Sequence, residues 1–129
     1  MKGNPFETLN CIAQVIYDKK GSNLLALDVQ GLSSITDYLF IAEGNVDRHV
    51  ISMARTIVED LNERGGPSLL HAEGLQSGDW VVLDYGEVMV HLFMPGLRER
   101  YALERLWAES KIVDLEIDLS KPAIGESKR

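Results

Sequence analysis

The hydrophobic positions of this chain change their period several times, and each change marks an element. From Leu9 they recur at Ile12, Ala13, Ile16 and Tyr17, the spacing of one helix face. Just ahead, Asn4-Pro5-Phe6-Glu7 reads as a helix start, with Asn4 as N-cap, Pro5 at the first helical position and Glu7 placed to close a capping box. Lys19-Lys20-Gly21 then supplies terminal cations and a stop. Two apolar runs, "NLLALDV" and "YLFIA", read as buried strands joined by "QGLSSITD". Helical spacing returns after Gly44-Asn45, with Val46, Val50, Met53, Ala54, Ile57, Val58 and Leu61 on the inner face, and ends at Gly65-Gly66-Pro67.

In the second half the period drops to two. "SLLHAEGLQSG" offers a short third strand and a loop, and "DWVVLDYGEVMVHLFMP" follows as a hairpin. Its runs, Trp80 to Tyr85 and Val88 to Met94, flank Gly86-Glu87, a pair suited to a type II′ turn, and Pro95 stops the second strand. That turn sets Tyr85 against Val88, Leu83 against Val90 and Val81 against Leu92, an aliphatic face for the core. The other face sets Asp84 against Met89, Val82 against His91 and Trp80 against Phe93, with His91 diagonal to both Asp84 and Trp80. Leu97 to Trp107, "LRERYALERLW", reads as a short closing helix. Beyond it "IVDLEIDLS" alternates apolar and acidic residues, a one-faced strand pattern, and "KPAIGESKR" reads as disordered. The expected fold is α/β: one domain with a mixed sheet of about five strands flanked by helices. Residues 1–107 form that domain, and 108–129 form an acidic, partly disordered tail.

Composition narrows the function. A chain of 129 residues suits one domain with a sizeable core. No apolar run approaches the ~20 residues that span a bilayer, and the opening "MKGNPFETLN" lacks an apolar signal core, so a cytoplasmic protein without membrane contact is expected. The single cysteine, Cys11, permits no internal disulfide and reads as a buried bystander. Thirteen Lys and Arg against twenty Asp and Glu give a net charge of −7, with a pI near 4.9. Direct binding of RNA or DNA is disfavoured by that balance, while a basic protein partner suits it.

Catalytic and metal chemistry find little support. The order helix, two strands, helix and later hairpin matches the outline of nucleotidyltransferase-like cores, which need a Gly-Ser turn and two carboxylates alternating along a strand. Gly21-Ser22 is present, but the strand after it offers Asp28 followed by Gln30. The alternating acids Asp114, Glu116 and Asp118 lie in the tail. His49, His71 and His91 fall on separate elements, and neither a nucleophile elbow nor a glycine-rich phosphate loop occurs. No cofactor is expected. An enzymatic alternative remains, a small-molecule or nucleotide-binding enzyme using Asp37, Asp84 and His91. The aromatic residues Trp80, Tyr85, Tyr101 and Trp107 instead point to an interface, where Trp and Tyr are enriched, with core packing the alternative for Trp80 and the favoured reading for Trp107. Arg48 and His49 occupy the first turn of the second helix, an unfavourable place for a cation, which points either to some further role or to a plain solvated helix start.

Taken together, "DYLFIAEGNVDRHV", "HAEG" and "GDWVVLDYGEVMVHLFMPGLRERYALERLW", at this spacing, resemble the ribosomal silencing factor family, also called Iojap-like proteins. The resemblance runs from about Pro5 to Trp107; Leu39 stands where the family usually has an aromatic, and Glu43 replaces a smaller residue. It implies a nucleotidyltransferase-like core without the catalytic carboxylates. It also implies a non-enzymatic translational repressor that binds ribosomal protein L fourteen of the large subunit and sterically blocks the small subunit under nutrient limitation. The contact surface on this reading is Trp80, Asp84, Tyr85 and His91, continued by Arg100, Tyr101, Glu104 and Trp107, with Arg48 and His49 as further candidates. A homodimer away from the ribosome is compatible with it.

Overall fold

The computed structural model describes residues 4–96 and 108–119. Helix α1 (Pro5–Asp18) opens as its sequence predicts: Asn4 is extended, and its side-chain oxygen accepts from the backbone N–H of Phe6 at 2.9 Å and of Glu7 at 3.3 Å. At its other end the reversal falls on Lys20, with φ of 66°, while the Gly21 N–H returns to the Ile16 carbonyl at 2.8 Å. Gly21 is there for space: a Cβ on it would lie 2.4 Å from Ile16 Cγ2 and 2.7 Å from Met53 Sδ.

Strands β1 (Ser22–Asp28) and β2 (Tyr38–Glu43) pair antiparallel, and helix α2 (Asp47–Glu63) follows. Strand β3 (His71–Glu73) leads to the hairpin of β4 (Trp80–Asp84) and β5 (Val88–Phe93), and β6 (Lys111–Ile112) closes the order. These make one six-stranded mixed sheet in the order β3-β4-β5-β2-β1-β6. Its centre is the parallel pair β2–β5, with Tyr38 opposite Val88 and Glu43 opposite Phe93. A parallel pair needs a crossover, here supplied by α2, β3 and β4. β2 is buried along its whole length, as a central strand covered on both faces must be.

Both helices pack on one face of the sheet. Leu9, Ile12 and Ile16 of α1 meet Val50, Met53, Ile57 and Leu61 of α2 over Phe40, Val81, Leu83, Val90 and Leu92. A second, smaller cluster occupies the opposite face: Leu27, Val29, Leu39, Ile41 and Phe93, with Leu25, Trp80 and Met89 packed against it.

The sixth strand exceeds the expected five and comes from the segment read as a tail. The sequence placed a strand at Val113 to Leu119, yet the ladder holds only Lys111 and Ile112, paired with Asp28 and Leu27 of β1. Val113 still donates its N–H to the Ala26 carbonyl of β1 at 2.8 Å, and beyond it the chain leaves the sheet edge and runs along α1. The Glu116 N–H donates to Asn10 Oδ1 at 2.9 Å, and the Asp118 N–H donates to Gln14 Oε1 at 2.7 Å. Val113, Leu115 and Ile117 pack inward on the main core. The alternation is real, but helix side-chain amides take the place of a neighbouring strand. The helix expected from Leu97 to Trp107 and the disorder expected at the C-terminus fall outside the described residues.

Candidate functional site

The hairpin register is the one its sequence predicts: Trp80 opposite Phe93, Val81 opposite Leu92, Val82 opposite His91, Leu83 opposite Val90 and Asp84 opposite Met89. Gly86 takes φ of 87°, and the Tyr85 N–H closes the turn on the Val88 carbonyl at 2.9 Å. Period two therefore sends Val81, Leu83, Val90 and Leu92 to the helices and Trp80, Val82, Asp84, Met89, His91 and Phe93 to the other face.

On that second face three rings form one group. The Trp80 indole N–H donates to His91 Nδ1 at 2.9 Å. Trp80 stacks on Phe93 with centroids 5.3 Å apart, and His91 lies nearly parallel to Phe93 at 6.1 Å. Because Nδ1 accepts, the neutral His91 ring carries its proton on Nε2, and that N–H makes no hydrogen bond among the described residues. Burial disfavours the charged ring and lowers the His91 pKa to about 4. The group is thus a neutral aromatic plate, half-buried at Trp80, with one directed donor.

The remaining candidates go to different places. Asp84 stands on the same face but turns its carboxylate back to the Gly86 N–H at 2.8 Å, holding the hairpin turn and leaving His91 to Trp80. Asp37 is an exposed loop residue whose N–H donates to the Glu87 carbonyl. Of the residues of the enzymatic reading, the Asp84 and His91 side chains thus keep separate partners. Tyr85 is 6% exposed and packs in the main core, so it backs the hairpin from the helix side and cannot join a contact face with Trp80. Its hydroxyl is buried without a hydrogen-bond partner among the described residues, and burial pushes its pKa up to about 12. Arg100, Tyr101, Glu104 and Trp107 lie outside the described residues.

His49 corrects the picture of an ill-placed cation. Its Nδ1 accepts the Asn45 N–H at 2.9 Å, so its Nε2 is the protonated nitrogen of a neutral ring and donates to the Lys19 carbonyl at 2.7 Å. Val46, the N-cap of α2, offers no side-chain cap, and the imidazole binds the chain just ahead of it while clipping α2 to the end of α1. Arg48 is exposed beside it and lines an open cleft with Lys19 and Lys20. Cys11 is buried, and its thiol donates to Asp60 Oδ2 at 3.2 Å; burial, then that bond, pushes its pKa up to about 12, which suits a bystander. Among the described residues no group of three or more His, Cys, Asp or Glu is arranged to hold a metal ion.

Sequence reasoning missed three features. The Trp80–His91 bond was signalled by their diagonal register, where long side chains meet. The His49 clip had no local signal, since Lys19 lies thirty residues away in sequence. The Asn10 and Gln14 amides had a faint one, polar residues spaced i, i+4 on α1.

What the fold and this face define is a small α/β protein whose distinctive polar and aromatic groups are arrayed on a sheet. Comparison with known proteins agrees. A family model described as ribosomal silencing factor during starvation matches residues 3–129, and the chain belongs to that family. It is 35% identical over 118 residues to ribosomal silencing factor RsfS of Bacillus subtilis, covering 92% of this chain and 99% of the relative. A mouse relative, mitochondrial assembly of ribosomal large subunit protein 1, is 28% identical over 102 residues, covering 77% of this chain and 44% of its own. A crystal structure of a Chromobacterium violaceum protein superposes with a TM-score of 0.74 at 31% identity, covering 90% of this chain and 95% of that one. One from Bacillus halodurans gives 0.72 at 32% identity, covering 84% and 98%.

Proposed function

We propose that this protein represses translation by docking on ribosomal protein L fourteen of the large subunit and blocking, by its bulk, association with the small subunit under nutrient limitation. Membership of the ribosomal silencing factor family supports a ribosomal target. The name of the mouse relative points to the large subunit. The single observation that carries the docking mode is the Trp80–His91–Phe93 plate. A stacked, hydrogen-bonded indole loses little side-chain freedom on binding, which is what an interface anchor needs. The surface reads as Trp80, Asp84 and His91, extended by Arg100, Tyr101, Glu104 and Trp107. Tyr85 supports it from behind, and His49 holds the frame.

On this reading the protein works without catalysis or a cofactor, in the cytoplasm, and its acidic balance suits a basic ribosomal protein. A homodimer in the free state is compatible with it. A nucleotidyltransferase-like core without catalytic carboxylates stands as part of the same proposal: β1 carries Asp28 without a second alternating carboxylate. The side chains of Asp84 and His91, bonded to the Gly86 N–H and to Trp80, do not favour the small-molecule enzyme.

The test is subunit joining followed by light scattering, with protein added to large subunits before small subunits. Trp80→Ala should weaken the block at least tenfold, the loss of about 1.4 kcal/mol or more expected of an anchor. Asp84→Lys should slow association and change its salt dependence. Melting curves on the same samples separate lost contact from lost fold, which matters because Asp84 also holds the turn. Two folded variants that still block joining at the wild-type concentration would overturn the docking assignment.

A further inference from the structure

We propose that the cleft between the end of α1 and the start of α2 receives backbone phosphates of large-subunit RNA, as a second foothold beside the protein contact. This rests on the docking reading above and adds a partner that the charge balance of the whole chain conceals. Among the described residues seventeen Asp and Glu face six Lys and Arg: Lys19, Lys20, Arg48, Arg55, Arg64 and Lys111. Three of those six, Lys19, Lys20 and Arg48, line this one opening of about 410 Å³.

The cations are presented on a fixed frame. His49, which lines the same cleft, ties α2 to the Lys19 carbonyl, so the two helix ends that carry the basic side chains cannot drift apart. Lys19 and Arg48 form no ion pair among the described residues, whereas Arg64 is held by Asp60 at 3.0 Å. Two carboxylates lie near. Asp18 lines the cleft and accepts from Gln14 Nε2 at 2.9 Å, and Asp47 accepts the Arg48 N–H at 2.7 Å. The lining therefore keeps an excess of positive charge, and Ser52 adds a hydroxyl.

Charge complementarity selects the occupant. The cleft is opposite in sign to the chain as a whole, and phosphate is the acceptor that a docked protein meets on the RNA around a ribosomal protein. Even with all three cations engaged the salt slope is at most about −2 on single-stranded RNA, too shallow for stable capture of free RNA. Once the plate has docked, the same contact becomes intramolecular, and an effective concentration of order mM makes it count. Weak binding to free RNA and a real contribution on the subunit are both expected.

The test compares wild type with the triple variant Lys19→Gln, Lys20→Gln, Arg48→Gln, in co-sedimentation with purified large subunits over a salt series. Lys20 and Arg48 are exposed and Lys19 is half-buried, and glutamine keeps part of each stem, so the variant should melt close to the wild type. It should bind subunits about fivefold more weakly at low salt, with a slope shallower by roughly 1 to 2. Binding to isolated ribosomal protein L fourteen should be unchanged, and hydroxyl-radical cleavage should show a subunit RNA stretch protected by wild type and released by the variant. Unchanged affinity and slope, an equal loss on the isolated protein, or unaltered RNA protection would each overturn the phosphate site. Failure of wild type itself to sediment with large subunits would be a different result, against the docking reading.

Discussion

The indole of Trp80 and the imidazole of His91 are joined by a 2.9 Å hydrogen bond across a diagonal of the hairpin, with the histidine as acceptor. The bond requires an unprotonated Nδ1, and the same burial that packs the ring opposes its charging.

A pH dependence follows. The folded pKa of His91, about 4, lies below the ordinary histidine value of 6.5. Above pH 6.5 neither state carries the proton; between 6.5 and about 4 the unfolded chain takes it and the folded chain refuses it. The stability contribution is therefore present at neutral pH and is lost as pH falls through that window, up to roughly 3 kcal/mol at 1.36 kcal/mol per unit. His91→Gln keeps an acceptor for the indole but removes the titration. Urea unfolding at pH 7 and pH 4.5 should show a smaller fall for the variant; equal falls would place the titration elsewhere.

His49→Ala removes both an acceptor for Asn45 and a donor to Lys19. The expected cost is about 2 kcal/mol, two net hydrogen bonds with their partners left to solvent. Hydrogen exchange should quicken at the start of α2 and the end of α1 together. A change confined to one helix would show that the ring does not couple them.

The segment along α1 gives a third expectation. Gln14→Ala deletes the acceptor for the Asp118 N–H, and exchange at Asp118 should accelerate while β2 stays protected. Truncation after Ser110 also removes β6 and the packing of Val113, Leu115 and Ile117. It should lower stability by several kcal/mol, at about 1 kcal/mol or more per half-buried side chain, with unfolding still cooperative. The bared edge of β1 should then favour self-association at high concentration, read by sedimentation equilibrium.

Gly21→Ala places a methyl against Ile16 and Met53. Overpacking of this kind costs about 1 to 3 kcal/mol, and Met53→Ala in the same chain should recover part of that crowding. A denaturation midpoint equal to wild type would mean that the α1–β1 corner relaxes freely.

Much of this molecule is legible in its sequence because local rules govern it. The Asn4-Pro5 start needs only a side chain and the next turn, and the Gly86-Glu87 turn dictates the register of the whole hairpin. The assignment of Tyr85 to the contact surface fails against that same period, which already sends it to the core. Where neighbours distant in sequence decide, the pattern is silent. Alternation from Val113 predicts an extended chain but not that α1, through Asn10 and Gln14, is its partner. Likewise a histidine at a helix start looks like a misplaced charge until the Lys19 carbonyl arrives to fix its tautomer.

The parallel pairing at the sheet centre constrains the order in which a nascent chain can become this protein. Tyr38 must wait for Val88, and Leu27 for Ile112, so neither β2 nor β1 has its full complement of neighbours until late in synthesis. Contacts this far apart are slow to close. The Trp80–His91–Phe93 plate is itself a product of that wait, because Phe93 supports Trp80 while Glu43 of β2 pairs beside it. A chain still being synthesised therefore lacks the finished Trp80–His91–Phe93 face, and on the docking reading it has no surface to dock with until β5 has found β2.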